Sequence, residues 1–495
     1  MARPGTPRAR SLGRPRSGSR AGAVVALTLI AALAACGSGS PTAHHRGAHS
    51  PATAAPTTTA PPSTTARPTT TATAPAPSEW TTYGGNNGRR SLDSAEGVLG
   101  HAPTPAWTSA ALDGAVYGEP LIFGGQVLVA TENDTVYALS AATGAVTWSL
   151  HLGAPAASSA LPCGDIAPVV GVTSTMVIDP ASDTLFVSAE LASGGVAHEL
   201  FAVDLTSHTV RFQRGLDQPG WSSAAQLQRA ALALEGGEVL VAFGGLYGDC
   251  GSYNGWVVGV PTSGSGPLAT YKVPSEREGG IWEPAGPSVD GAGDVYVATG
   301  NGSSDTSYDH GNSVIELSPA LAELSHFADP RWAADNDADA DLGSTSPLLL
   351  GDGRLFQVGK QMTGYLLHTG APGGAAASVA LCNSRGATAY LAPVLYVVCT
   401  DTHQIVPVHV GPGDSLQKGA AWTSPTAGAG SPTIARGVVW TLDPGRDVLY
   451  GLDPGTLAQR YSVALSVGGL THFAAPSAGE GLIVVAGTRA VEALH

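Results

Sequence analysis

Thr135-Val-Tyr-Ala-Leu-Ser-Ala-Ala-Thr-Gly-Ala-Val-Thr-Trp148 reads as an apolar strand, a Thr-Gly turn and a second strand carrying a tryptophan. Just ahead of it lies Val127-Leu-Val-Ala130, a run too apolar and too rich in β-branched residues for a strand with one wet face. The same run recurs seven times: Leu185-Phe-Val-Ser188, Val239-Leu-Val-Ala242, Val295-Tyr-Val-Ala298, Leu355-Phe-Gln-Val358, Leu395-Tyr-Val-Val398, Val438-Val-Trp-Thr441 and Leu482-Ile-Val-Val485. Successive copies start 58, 54, 56, 60, 40, 43 and 44 residues apart. A turn and a second apolar run follow each, as in Val136-Tyr-Ala-Leu139, Val314-Ile-Glu-Leu317 and Leu449-Tyr-Gly-Leu452.

Most copies are preceded by a small-residue strand opening at or near a proline: Glu119-Pro120-Leu121, Ala167-Pro168-Val169, Glu283-Pro284-Ala285, Ser346-Pro347-Leu348, Ser431-Pro432-Thr433 and Ala475-Pro476-Ser477. Proline suits a first strand residue, which owes the ladder no donor. A fourth strand ends several copies, for example Val146-Thr-Trp-Ser149. Four short strands per 40–60 residues, punctuated by 65 glycines, predict an all-β fold, an eight-bladed β-propeller over residues 79–495. The eighth copy has no fourth strand of its own. Ala106-Trp107-Thr108 is expected to supply it, closing the ring by pairing the two ends of the domain.

The chain has 24 basic and 39 acidic residues, which excludes a nucleic-acid binder that grips phosphates with clustered Lys and Arg. Residues 1–35 combine six arginines with an apolar stretch from Ala21 to Ala35 and read as a secretion signal. Leu33-Ala34-Ala35-Cys36-Gly37 resembles a bacterial lipobox, which implies acylation of Cys36 and a lipid-anchored protein on the outer face of the cell membrane. Residues 36–78 follow as the lipidated cysteine and a Pro/Thr-rich disordered spacer, with 8 Pro and 11 Thr between 37 and 78 and no acid. His44, His45 and His49 fall in that spacer without a fixed geometry to hold a metal. Residues 79–495 then carry 16 basic and 39 acidic side chains, a net charge of −23. Such a body is repelled by anionic lipid, so its anchor is expected to be covalent, and the folded part is expected to be a monomer.

Thr135–Trp148 is close to the pyrroloquinoline quinone (PQQ) repeat, V-Y-A-L-D-A-x-T-G-x-x-x-W, and Glu79-Trp-Thr-Thr-Tyr-Gly-Gly-Asn86 resembles the W-x-x-Y-G-G-D/N opening of quinoprotein dehydrogenase propellers. The repeat is shared with non-enzymatic propellers, including the BamB type of outer-membrane assembly lipoprotein. The resemblance implies that the Thr-Gly forms a tight turn and that the Trp packs between blades. It also implies that Asn301, closing Asp294-Val-Tyr-Val-Ala-Thr-Gly-Asn301, occupies the position of a Ca²⁺ ligand beside the quinone. Two further hallmarks are missing from the sequence. Ser318, in Ile315-Glu-Leu-Ser-Pro-Ala-Leu321, stands where the catalytic Asp is expected, and no Cys-Cys dipeptide occurs.

Four cysteines lie in the folded part, Cys163, Cys250, Cys382 and Cys399, and an even number in an exported chain implies disulfides. The repeat register favours Cys163–Cys250 and Cys382–Cys399 over the other two connectivities and over a four-cysteine zinc site, for which no C-x₂-C spacing exists. Asp335, Asp337, Asp339 and Asp341 alternate along a segment expected to be a solvated loop between blades, with Ca²⁺ at Asp337, Asp339 and Asp341 as the alternative. Strand-opening residues face the channel of a propeller, so Glu119, Gln228, Arg229 and Glu283, with Trp282, are the ligand-binding candidates. These readings point to a binding or scaffolding module, with no cofactor expected and a small polar ligand or another envelope protein as partner. The alternative is a PQQ- and Ca²⁺-dependent dehydrogenase of alcohols or sugars.

Overall fold

In the computed structural model, which describes residues 78–495, eight antiparallel sheets follow one another along the chain, each with a four-stranded core order and two of them (blades 3 and 6) with one extra short strand. Blade 1 comprises Leu121–Phe123, Gln126–Ala130, Thr135–Ser140 and Val146–His151, ordered from inner to outer strand. Blades 2 to 7 repeat this order through Ala464. Blade 8 takes Ser477–Gly479, Leu482–Ala486 and Val491–Leu494 from one end of the domain and its outer strand, Pro105–Thr108, from the other. The expected ring closure is therefore present. Residues 1–77, with the expected secretion signal, Cys36 and all but the last residue of the expected spacer, its histidines included, lie outside the described residues.

Each apolar tetrapeptide forms the second strand of a blade, and its second run forms the third. Both faces of these strands pack against neighbouring blades, which explains the continuous apolar runs. Val295, Tyr296, Val297 and Ala298 are all fully buried. Outer strands return to the alternation of a half-wet surface, as in Gln459–Ala464. The Thr143-Gly144 turn is covered by the closing strand. Trp107 donates to Ala141 O at 2.7 Å, and Gly144 holds φ +68° where an added Cβ would meet the Trp107 ring at 2.4 Å. Trp148 stacks on His208 of blade 2 with centroids 4.8 Å apart, so it packs between blades.

Two segments depart from the expected layout. Ala167-Pro168-Val169 does not open an inner strand; Val169–Val170 pairs with Ala156–Ala157 in a separate ribbon, and blade 2 begins at Val177–Asp179. The acidic run is not an extended loop either, since Trp332–Asp337 forms a six-residue α-helix.

One end of the channel is plugged from within. The segment Ser78–Asp93 circles the axis and bonds to the inner edge of every blade. Glu480 N donates to Ser78 O (3.0 Å), Trp80 N to Ile122 O (2.8 Å), Ile178 N to Thr81 O (2.9 Å) and Val289 N to Asn87 O (2.9 Å). The Asn87 amide donates to Leu234 O at 2.9 Å. Leu349 N, Tyr390 N and Ile434 N then donate to Gly88 O, Arg90 O and Ser91 O at 3.0, 2.9 and 2.8 Å. Inner strands need a partner on their free edge, and this one segment satisfies all eight. The quinoprotein-like opening Glu79–Asn86 is thus the first half of the plug.

Candidate functional site

The other end of the channel is open. A cavity of about 640 Å³ lies where the blade-to-blade connections meet the loops joining second to third strands. Trp282, Asp341, Arg385 and Phe473 come from connections ahead of inner strands, while Tyr253, Lys360 and Thr400 come from the second-to-third loops. Both disulfides brace this face. Cys163–Cys250 ties the connection before blade 2 to a blade 3 loop whose Leu246–Asp249 line the cavity. Cys382–Cys399 ties the connection before blade 6 to the end of that blade's second strand, beside the lining residues Arg385 and Thr400.

Of the five ligand-binding candidates, Arg229 and Trp282 line the cavity. The other three lie buried and bonded to protein. Glu119 accepts from Trp80 Nε1 (3.0 Å) and Gly84 N (2.9 Å), anchoring the plug. Glu283 accepts from Ala298 N at 2.8 Å, and the Gln228 amide donates to Ala230 O at 2.7 Å. Burial raises Glu119 to about 8 and pushes Glu283 well above the usual carboxylate range, against the pull of the Arg89 charge. Tyr83, from the plug itself, clusters with Ala231, Ala285, Ala387 and Ala475.

Two cations of the cavity have no hydrogen-bond or ion-pair partner among the described residues, the exposed Arg385 and the half-buried Arg229. The Arg229 guanidinium lies 4.5 Å from the centroid of the Phe473 ring. Burial lowers its pKa to about 10, so it stays charged at neutral pH. His472 beside it is held down at about 4, by burial first and by the Arg229 charge second, so the imidazole is neutral. Lys360 differs in being fully paired. Its ammonium contacts Asp341 at 2.6 Å and Asp339 at 2.9 Å and lies 5.5 Å from the centroid of the Trp282 ring. Burial opposes its charge, but the two acids raise its pKa above the ordinary lysine value.

Asn301 lies at the edge of this group. Its backbone N–H donates to Asp341 Oδ1 at 2.7 Å, and its side-chain amide donates to Glu278 at 3.3 Å. Both oxygens of Asp341 are thus engaged, one by an amide and one by an ammonium, a donor set that does not fit a bound Ca²⁺. Ser318 lies in the turn at the opposite end of the blade 4 strands, where Val295 pairs with Leu317, so it is not the residue facing Asn301. Asp341 is. The remaining acids do not converge on an ion: Asp337 is exposed, and Asp335 is buried beside Arg331 at 3.4 Å. The six-residue helix replaces the two-residue period on which their convergence depended.

Sequence reasoning passed over Lys360, Arg385, His472 and Phe473. A signal was available. Lys360 and Thr400 each follow the end of a tetrapeptide by two residues, a register position that opens onto the cavity.

Residues 102–323 match the family model described as outer membrane protein assembly factor BamB. No protein of curated function matches the sequence. Among solved structures, the chain is similar to the quinohemoprotein alcohol dehydrogenase of Comamonas testosteroni at 14% identity and TM-score 0.64, over 84% of this chain and 80% of that one. A quinohemoprotein alcohol dehydrogenase of Pseudomonas putida HK5 gives 12% identity and TM-score 0.63 over the same shares. BamB of Moraxella catarrhalis gives 14% and 0.55, over 79% of this chain and 99% of that one. At such identities the likeness establishes the fold: a quinoprotein-like propeller of PQQ-like repeats.

Proposed function

We propose that this protein is an extracytoplasmic binding module, lipid-anchored through Cys36, whose axial cavity takes a small organic carboxylate without chemistry of its own. The observation that carries this reading is Arg229: a desolvated guanidinium, stacked on Phe473, with its donors unpaired in a cavity. Guanidinium forks match carboxylates in a bidentate manner, and the Trp282 and Phe473 rings offer apolar surface to the rest of such a ligand. Two disulfides bracing the cavity face accord with an oxidising compartment. The match to an outer-membrane assembly factor over residues 102–323 supports another envelope protein as neighbour.

The test is isothermal titration of the full chain with a panel of aromatic and aliphatic mono- and dicarboxylates, repeated on Arg229→Ala. Saturable binding by at least one carboxylate class, weakened about tenfold or more in the variant, is the expected result. Binding that ignores the substitution, or none across the panel, removes the reading.

A second reading, PQQ-dependent oxidation, has in its favour the grouping of Trp282, Asn301 and Asp341 at the cavity. Against it stand the Lys360 ammonium on Asp341 and the lack of vicinal cysteines. Reconstitution with PQQ and Ca²⁺ followed by dye-linked assays on alcohols and sugars decides it: stoichiometric quinone uptake with turnover would establish the dehydrogenase.

A further inference from the structure

The outer side of blade 4 carries a cluster that neither the repeat nor the cavity uses. His310 ends the loop between the second and third strands, and Glu323 and His326 lie on the outer strand Glu323–Ala328. Their ligating atoms all fall within 4.8 Å of one another. Glu323 sits between the two imidazoles, with His326 Nδ1 2.8 Å from Oε1 and His310 Nδ1 3.4 Å from Oε2. The carboxylate is held by a second blade, since Tyr271 of blade 3 donates its hydroxyl to Oε2 at 2.9 Å. Tyr308 stacks on His310 at 5.0 Å and leans on His326 at 5.4 Å, fixing both rings. The three side chains are 20–34% exposed, which leaves a path for an ion to enter.

We propose that His310, Glu323 and His326 form a binding site for a divalent transition-metal ion of the zinc class. Two imidazole nitrogens and one carboxylate oxygen suit Zn²⁺ and its neighbours, whereas Ca²⁺ and Mg²⁺ ask for oxygen alone and Cu(I) for sulfur. Tetrahedral ligation with bonds of about 2.1 Å needs ligand atoms about 3.4 Å apart. His310 Nδ1 already lies 3.4 Å from Glu323 Oε2, and all three ligating atoms fall within 4.8 Å of one another, so side-chain rotations complete the set. Nδ1 of His310 makes no conventional hydrogen bond in spite of its burial, so a metal would satisfy a lone pair that the fold leaves open. Tyr271 supplies the outer partner that orients a ligating carboxylate. Three protein ligands leave a fourth position for water or an exogenous donor, as at exchangeable or catalytic sites.

The experiment uses the full chain carrying His44→Ala, His45→Ala and His49→Ala, so that the N-terminal histidines contribute nothing. After stripping with EDTA, it is titrated with ZnCl₂ by calorimetry and with CoCl₂ by visible absorption, with MgCl₂ and CaCl₂ as controls. The expected result is one Zn²⁺ per chain, a tetrahedral cobalt spectrum and no response to the controls. Glu323→Gln, which keeps the shape of the side chain, and His326→Ala should each abolish uptake, and Tyr271→Phe should weaken it about tenfold or more. Absence of saturable Zn²⁺ uptake, or uptake that survives both Glu323→Gln and His326→Ala, overturns the proposal and leaves the cluster a hydrogen-bonded brace between blades.

Discussion

Arg89 and Arg229 belong to opposite ends of one channel, and burial lowers the pKa of each to about 10. Their surroundings differ in one respect. Arg89 Nε donates to Pro287 O (2.9 Å), Nη1 to Thr82 Oγ1 (2.8 Å) and Tyr83 O (3.2 Å), and Nη2 to Leu232 O (3.1 Å). One side chain thereby stitches the plug to blades 3 and 4. Arg229 meets only a Phe473 ring and the cavity. Polar groups saturated by protein build the fold, whereas a polar group left unsaturated at the open end marks where a ligand belongs.

The largest expected effect is therefore at the plugged end. Arg89→Met removes four charge-assisted hydrogen bonds, orphans the three carbonyls and the Thr82 hydroxyl that accepted them, and withdraws the charge that moderates Glu119 and Glu283. A loss of about 3–5 kcal/mol is expected, measured as a shift in the urea midpoint at unchanged slope. A shift below about 1 kcal/mol would mean that the plug is held by its backbone bonds alone.

The second expected effect is a pH dependence that also belongs to the interior. Burial raises Glu119 to about 8, Glu132 to about 7 and Asp134 to about 9. Burial acts on His198 in the opposite sense, but hydrogen bonds to Asp217 and Glu190 overcome it and raise the imidazole to about 9. In all four the folded state holds its proton more tightly than the unfolded chain does. The acids' contribution is complete below about pH 4 and lost as pH climbs through 7 to 9; that of His198 is complete below about pH 6.5 and lost through 9. Thermal unfolding followed by circular dichroism should give a higher Tm at pH 5 than at pH 9. Glu119→Gln should flatten part of that slope. Equal Tm values at the two pH values would show that these groups do not bind protons differently on folding.

The contrast between the two ends also explains what the sequence revealed. Runs such as Val295-Tyr-Val-Ala298 announce strands buried on both faces, so blade number, strand order and ring closure at Trp107 were legible. The plug was not, because Ser78–Asp93 works through backbone hydrogen bonds, which leave little trace in side-chain pattern. Glu119 and Glu283 were correctly placed near the axis, yet position along the axis separates a plug anchor from a cavity wall, and periodicity carries no such coordinate. Lys360 escaped notice because it stands alone in a short loop between the second and third strands of its blade, and Asp341 was read as a loop acid or calcium ligand rather than as its ion-pair partner. The acidic alternation that includes Asp341 suggested an extended loop where the chain turns into a helix. Cys163–Cys250 and Cys382–Cys399 pair as favoured, but the second bond lies within one blade and the connection leading into it instead of joining neighbouring blades.

The smallest expected effect on stability is the sharpest test of the comparison, because it repeats the first substitution at the other end. Arg229→Met removes a desolvated charge that no protein group satisfies, and methionine keeps much of the contact with Phe473. Stability should stay within about 0.5 kcal/mol of the parent or rise, whereas the same change at Arg89 is strongly destabilising. His472 supplies a local readout. Its pKa is held at about 4 by burial and by the Arg229 charge, with Asp165 pulling the other way at 3.7 Å. Removing the cation should move the imidazole titration upward, toward the ordinary histidine value, in an NMR titration of its ring protons. An upward shift with unchanged stability is the signature of a charge placed for binding. A large loss of stability instead would mean that Arg229, like Arg89, belongs to the scaffold.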